Sequence, residues 1–245
     1  MSAPFSRYLL RTTDVAAAAA FYDAVLGGRG HGIVPLHEAA LARGARPHWL
    51  GHVQVRELGG VEALAARFIE RGAMRLGPTP GVGDFVVLRD AGGALVAVTE
   101  GPSAGSAGVL WHQLNTRDPA QAAATYSELF GWSCGEILDL GPLGRHQPFS
   151  FSAGDPAVGL ISGVEGRPEV HPHRLFFFGV PSLDAAVELV QKHGGTVIGP
   201  IQIPNGARVA VCDDAEGAAF GIIQPDDAAL LADARSGSPE TRRPR

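Results

Sequence analysis

The chain is poor in cysteine and lacks any long run of a single chemical kind. Of its 245 residues only 2 are cysteine, Cys134 and Cys212. They stand far apart with no metal-type spacing, which argues against a disulfide scaffold or a zinc ribbon. They read as reduced thiols of a cytosolic protein. No long basic run is present and the formal net charge is -5, so a nucleic-acid partner is not expected. The apolar stretch Ala16–Ala20 is far too short to span a bilayer. The opening MSAPFSRYLLRTTD has neither the charged start nor the apolar centre of a signal peptide. A cytoplasmic protein with no membrane partner is the expectation.

What the chain does have is core-forming material and a repeat. Hydrophobic residues make up 45% and charged residues 18%, a globular balance. Residues 14–27, DVAAAAAFYDAVLG, are answered by residues 118–131, DPAQAAATYSELFG. Asp14 matches Asp118, Tyr22 matches Tyr126 and Gly27 matches Gly131, all at an offset of 104. DAGGALVAV at 90–98 is answered by DAEGAAFGI at 214–222. A repeat of this length means that one structural unit is built twice.

Each copy splits again into halves that open with a strand and continue into a helix. In copy one, Arg7–Arg11 alternates as a strand, and Asp14 caps a helix over about residues 15–26. Trp49–Val55 opens the next half, a helix follows near Val61–Arg71, and Asp84–Leu88 and Leu95–Thr99 flank the DAGG turn. In copy two, Trp111–Asn115 is a strand, and Asp118 caps a helix with Pro119 at its first position. Leu138–Leu140, Gln147–Ser152 and Val158–Ser162 read as three short strands. Leu175–Val180 is an apolar strand, Ser182 caps a helix ending at Gly194, and Val209–Cys212 and Ala219–Ile223 close the copy. Residues 101–108, GPSAGSAG, read as a flexible linker, and 226–245 as a disordered tail. The domains are thus 5–100 and 109–225.

With these phrases in view, the chain resembles the vicinal-oxygen-chelate superfamily of glyoxalase, bleomycin-resistance and extradiol dioxygenase proteins. The carriers are TTDVAAAAAFYDAVLG, NTRDPAQAAATYSELFGW, DAGGALVAV and CDDAEGAAFGIIQP. The resemblance implies an α+β fold of tandem βαβββ modules, with curved mixed sheets, outer helices and concave pockets. Between the matched helices and the PHW/PHR phrases the offset grows from 104 to 125. Copy two therefore has the longer interval and is expected to hold the fuller pocket.

Metal-dependent members of the superfamily place His, Gln or Glu on the first strand of each half and Glu on the last. Seven residues before each capping Asp stand Arg7 and Trp111, and the second halves open on Trp49 and Arg174. Seven residues after Asp90 and Asp214 stand Ala97 and Gly221. None is an ordinary ligand, so no metal and no other cofactor is expected, and the superfamily's Lewis-acid chemistry is disfavoured. A non-standard cluster of His146, His171 and His173 is the metal alternative. His48 and His173, matched by the repeat, are each one position before the seat. His52 and His112 read as packed or surface residues.

By alternation, Trp111, Gln113 and Asn115 share the ligand-facing side, and Arg174, Phe176 and Phe178 are assigned to it too. From the hairpin, either Phe149 with Phe151 or His146 with Ser150 faces the same space. The expected ligand-binding set is therefore Trp111, Gln113, Asn115, Arg174, Phe176, Phe178, His146 and Phe149. An aromatic wall with one arginine and several amides suits a small organic metabolite or drug-like molecule, partly aromatic or amphipathic. A metal-free binding protein is the first reading. A lyase, isomerase or hydroxylase of the same superfamily is the alternative, with catalytic residues unassigned and a homodimer left open.

Overall fold

A computed structural model describes residues 4–28, 32–55, 59–77, 84–103, 108–141, 144–167, 170–202 and 207–225. The expected tail lies outside these residues, as does the centre of the expected linker. Copy one runs β1 (Phe5–Thr12), α1 (Val15–Leu26), β2 (Gly32–Pro35), α2 (Glu38–Leu41), β3 (His48–Gln54), α3 (Val61–Glu70), β4 (Met74–Gly77), β5 (Phe85–Arg89) and β6 (Leu95–Thr99). Copy two runs β7 (Val109–Thr116), α4 (Pro119–Phe130), β8 (Ser133–Cys134), β9 (Leu138–Asp139), β10 (Arg145–Ser150), β11 (Gly159–Gly163), β12 (His173–Gly179), α5 (Leu183–Lys192), β13 (Thr196–Gln202), β14 (Arg208–Asp213) and β15 (Ala219–Gln224).

The two copies make two mixed sheets. Sheet A is ordered β2-β1-β3-β6-β5-β4; sheet B is ordered β13-β14-β15-β12-β7-β11-β10-β8, with β9 paired to β10. Between its first helix and its second half, copy one supplies β2 and the short α2, where copy two supplies β8 to β11. Sheet B therefore has the longer wall.

The repeated phrases have local causes. Asp14 accepts a hydrogen bond from the Ala17 amide and Asp118 from the Gln121 amide, each at 2.9 Å, capping α1 and α4. Both helices end at a glycine in the left-handed region, Gly27 at φ 79° and Gly131 at φ 72°. Tyr22 and Tyr126 have a longer reach. Tyr22 donates to Asp214 at 3.0 Å and Tyr126 to Asp90 at 2.7 Å, so each helix tyrosine is held by the turn aspartate of the other copy. Each aspartate also ties its own turn, through the Ala94 amide for Asp90 and the Ala218 amide for Asp214. The matched motifs are therefore the lock between the two units, arranged about a pseudo-twofold.

This lock lies where the helix-bearing sides of the two sheets meet. There α1 packs beside α5, α3 beside α4, and β3 against β12. The helices cover the sheet sides opposite the outward faces and keep one side exposed, α1 beside α5 and α3 beside α4. The strands between them meet directly through aromatic side chains. Phe176 is edge-on to Tyr8 and Phe5, and Trp49 packs on Phe178. Gly51 has no side chain because a Cβ there would stand 2.6 Å from the Phe5 ring and 2.7 Å from that of Phe176. One continuous apolar core thus spans both sheets, and their other faces point outward.

Candidate functional site

The outward face of sheet B is a set of rows fixed by strand register. His173 of β12, Asn115 of β7, Ser162 of β11 and His146 of β10 are successive partners across four strands. The next row is Leu175, Gln113, Leu160 and Pro148, and beyond it Phe177 pairs with Trp111. A polar rail therefore borders an apolar floor. On that floor Leu175, Phe177, Val209 and Ile223 form a cluster separate from the main core, with Trp111 and Val211 half-buried against it.

The rail is hydrogen-bonded in one direction. Gln113 Nε2 donates to Asn115 Oδ1 at 3.1 Å, and Asn115 Nδ2 lies 3.3 Å from His173 Nε2. His173 Nδ1 lies 2.7 Å from the His171 carbonyl. A carbonyl can only accept, so Nδ1 carries the proton and Nε2 takes the Asn115 amide. Burial lowers the His173 pKa, against the raising effect of that carbonyl, and His171 lowers it further; the ring is neutral at pH 7. At the far end, Ser162 Oγ and His146 Nδ1 are 2.6 Å apart. His146 also lines a cavity of about 790 Å³ with Arg117, Pro119, Arg145, Ile161 and Arg167.

Four of the eight expected ligand-facing residues, Trp111, Gln113, Asn115 and His146, share this face. The other four do not, and their assignment is corrected. Antiparallel register pairs Arg174 with Leu114 and Phe176 with His112, one position out of step with the expected alignment. Arg174, Phe176 and Phe178 consequently point into the core between the sheets. Phe149 lies there too, stacked on Trp132 at 4.6 Å. Arg174 sits 4.5 Å above the Tyr126 ring and 3.9 Å from Asp90, and its Nε and Nη2 have no hydrogen-bond partner. It occupies the place in copy two that Trp49, which donates to Tyr22 at 2.9 Å, holds in copy one. Trp49 likewise faces the core, and the outward seat of β3 belongs to His52, between Arg7 and Ala97. The residues missed on the sheet B cup are His173, Ser162, Leu160, Leu175 and Phe177. The signal for His173 was its repeat partner His48, one position before the residue assigned to the seat.

The donor set does not fit the superfamily's divalent ion. On sheet B, both His173 nitrogens are engaged, and the last strand presents Gly221 beside Phe177. On sheet A the seats hold the Arg7 guanidinium, the His52 imidazole and Ala97, a single ordinary donor. His171 and His173 rings lie 4.9 Å apart, but His146 stands three strands away from His173, about 14 Å at ordinary strand spacing. No group of three His, Cys, Asp or Glu side chains suited to a metal occurs among the described residues. Both cysteines are free, and burial, then Asp213, pushes the Cys212 thiol up to about 12, which leaves it a poor nucleophile.

Two sheets of paired strand–helix modules, set back to back, make a tandem α+β fold. Residues 108–222 match the family model of the Glyoxalase/Bleomycin resistance protein/Dioxygenase superfamily. Over 249 aligned residues it is 26% identical to "Putative glyoxylase CFP32" of Mycobacterium bovis and of Mycobacterium tuberculosis, covering 88% of this chain and 92% of each relative. In fold it is similar to the 2,3-dioxygenase LapB of Pseudomonas sp. KL28, with TM-score 0.57, 15% identity, and coverage of 92% and 93% of the two chains. Homoprotocatechuate 2,3-dioxygenase of Brevibacterium fuscum, complexed with 3,4-dihydroxyphenylacetate, gives TM-score 0.59 and 17% identity, covering 92% of this chain and 81% of that one.

Proposed function

We propose that the chain is a cytoplasmic protein that binds a small amphipathic organic molecule in the cup of sheet B without a metal ion. The observation that carries this reading is the largely buried polar rail His173–Asn115–Ser162–His146 set beside an apolar floor. The hydrogen-bond direction along the rail fixes the Asn115 amide and leaves Gln113 Oε1 as an acceptor for a ligand donor. Half-buried Trp111, backed by buried Leu175 and Phe177, supplies the surface for an apolar or aromatic body. No described helix is long and apolar enough to cross a membrane, which suits a cytoplasmic setting.

The test is a small-molecule extract screened against the full chain by native mass spectrometry, followed by titration of the captured compound. Trp111→Ala is expected to weaken binding by about tenfold or more, as loss of an aromatic contact worth 1–2 kcal/mol would. Arg174→Met, which alters only the core, is expected to leave that affinity unchanged while moving the unfolding midpoint. Tightly bound stoichiometric metal lost on mutating His171 and His173 would overturn the metal-free reading. Turnover of the captured compound would favour the enzymatic alternative, for which the glyoxylase name of the relatives is the support.

A further inference from the structure

The outward face of sheet A carries a second cup of different chemistry. Arg7, His52 and Ala97 are neighbours across β1, β3 and β6. Arg11 extends from the same face of β1, and its guanidinium carbon lies 5.9 Å from the centre of the Phe85 ring. The His52 ring lies 5.7 Å from that same centre. Two guanidinium-bearing side chains, an imidazole and an aromatic ring therefore gather at one end of the sheet. Leu50, Val87 and Ala97 supply apolar floor beside them.

This group holds donors and charge without matching acceptors. Arg7 Nη2 donates to Thr99 Oγ1 at 3.3 Å, but its buried Nε has no partner. His52 is 1% exposed, and neither of its ring nitrogens has a partner. Among the described residues no carboxylate lies within 4.0 Å of Arg7 or Arg11; the recorded ion pairs are all elsewhere. Asp84 Oδ2 and Arg7 Nη2 both approach the Gly101 Cβ position, so this carboxylate stands near the guanidinium but outside ion-pair distance. Burial, and then the charge of Arg7, lowers the Arg11 pKa, a sign that the two cations stand close and unrelieved. Buried polar groups are nearly always hydrogen-bonded, and partly buried charges are costly unless neutralised. The orphaned atoms here call for a ligand with negative charge and several acceptor oxygens. The planar fork of arginine matches a carboxylate with two parallel hydrogen bonds.

We propose that the cup of sheet A binds a small organic carboxylate, its oxygens held by Arg7, Arg11 and His52 and its body lying against Phe85 and the apolar floor. This site is independent of the sheet B reading. Apolar neighbours distinguish an organic anion from an inorganic one, which gains nothing from Leu50, Val87 or Phe85.

The probes are benzoate, its neutral analogue benzamide and inorganic phosphate, each titrated into the full chain at neutral pH by calorimetry. Histidine imidazole resonances are followed in parallel by NMR. Benzoate is expected to bind saturably in the millimolar range or tighter and to shift the His52 signals while His173 stays still. Benzamide is expected to be silent and phosphate weaker. Arg7→Met and Arg11→Met are each expected to weaken benzoate by about tenfold or more, the loss of a charge-assisted pair. Undiminished affinity in both variants, phosphate equal to benzoate, or benzoate shifts confined to His173 would overturn the proposal. If a methionine variant fails to fold, the wild-type titration still decides: no saturable shift at His52 overturns it. Because the two cups are read by different histidines, failure here is separable from failure of the sheet B reading.

Discussion

Phe176→Ala is expected to cost about 3–5 kcal/mol of stability and to leave binding in the sheet B cup unchanged. The Phe176 ring is 1% exposed and lies edge-on to Tyr8 at 5.0 Å, Phe5 at 5.6 Å and His112 at 5.9 Å. Its removal opens a cavity between the two sheets. Gly51 faces that cavity with no side chain to move in, so little can collapse to fill it, which places the cost toward the upper end. Urea unfolding of the variant measures the loss. Phe177→Ala, one residue further on, removes a ring from the outward floor and is expected to weaken the cup's ligand. A loss of affinity in Phe176→Ala with none in Phe177→Ala would mean that the faces of β12 are the reverse of those described.

That contrast shows why only half of the sheet B cup was legible. β7 declares its faces, because Trp111, Gln113 and Asn115 alternate with buried His112 and Leu114. β12 does not: Leu175 to Phe178 are apolar in unbroken sequence and all buried, as expected for a strand covered on both sides. Alternation then gives two sets of residues but cannot say which set faces the pocket, and a slip of one residue exchanges them. Only pairing to Asn115 settles it. The repeat itself was readable because caps and turns are local. Its reason was not, since Tyr22 and Tyr126 find their aspartates in the opposite copy.

Missed strands have equally physical causes. β13, which has no counterpart among the strands expected from sequence, contains Gly199 and Pro200 and is the edge of sheet B, where a missing N–H is tolerated. β4 has four residues at the edge of sheet A, and β8 has two. Such short edge segments carry too little periodicity to be recognised. The unpaired cations of sheet A were invisible for a related reason: Arg7, Arg11 and His52 are ordinary in sequence, and only the register brings them together.

Stability should fall as the pH is lowered from about 6.5 towards 4, through two buried imidazoles. His112 is pulled down to about 4 by burial and, in the opposite sense to its Val158 carbonyl bond, by the charge of Arg174. Its Nδ1 lies 3.0 Å from that carbonyl, so Nε2 is the acceptor for the Tyr8 hydroxyl at 2.7 Å, and a second ring proton has no place. His52 is pulled down to about 3 by burial, Arg7 and Arg11. In the unfolded chain both titrate near 6.5. Above that pH both states are neutral and the stabilising difference is fully present. Below it the unfolded chain takes up protons that the native state refuses. Stability then drops by about 1.4 kcal/mol per pH unit for each histidine, until pH reaches the depressed native values. His48 and His173, also lowered by burial, steepen the fall. Urea unfolding at stepped pH measures the slope. His112→Gln, which keeps an acceptor for Tyr8, is expected to remove its share; an unchanged slope would show that the native state accepts a charged His112. A carboxylate bound in the sheet A cup would favour the charged form of His52 and raise its native pKa. Saturating benzoate is therefore expected to flatten the His52 portion of the slope and leave the His112 portion intact.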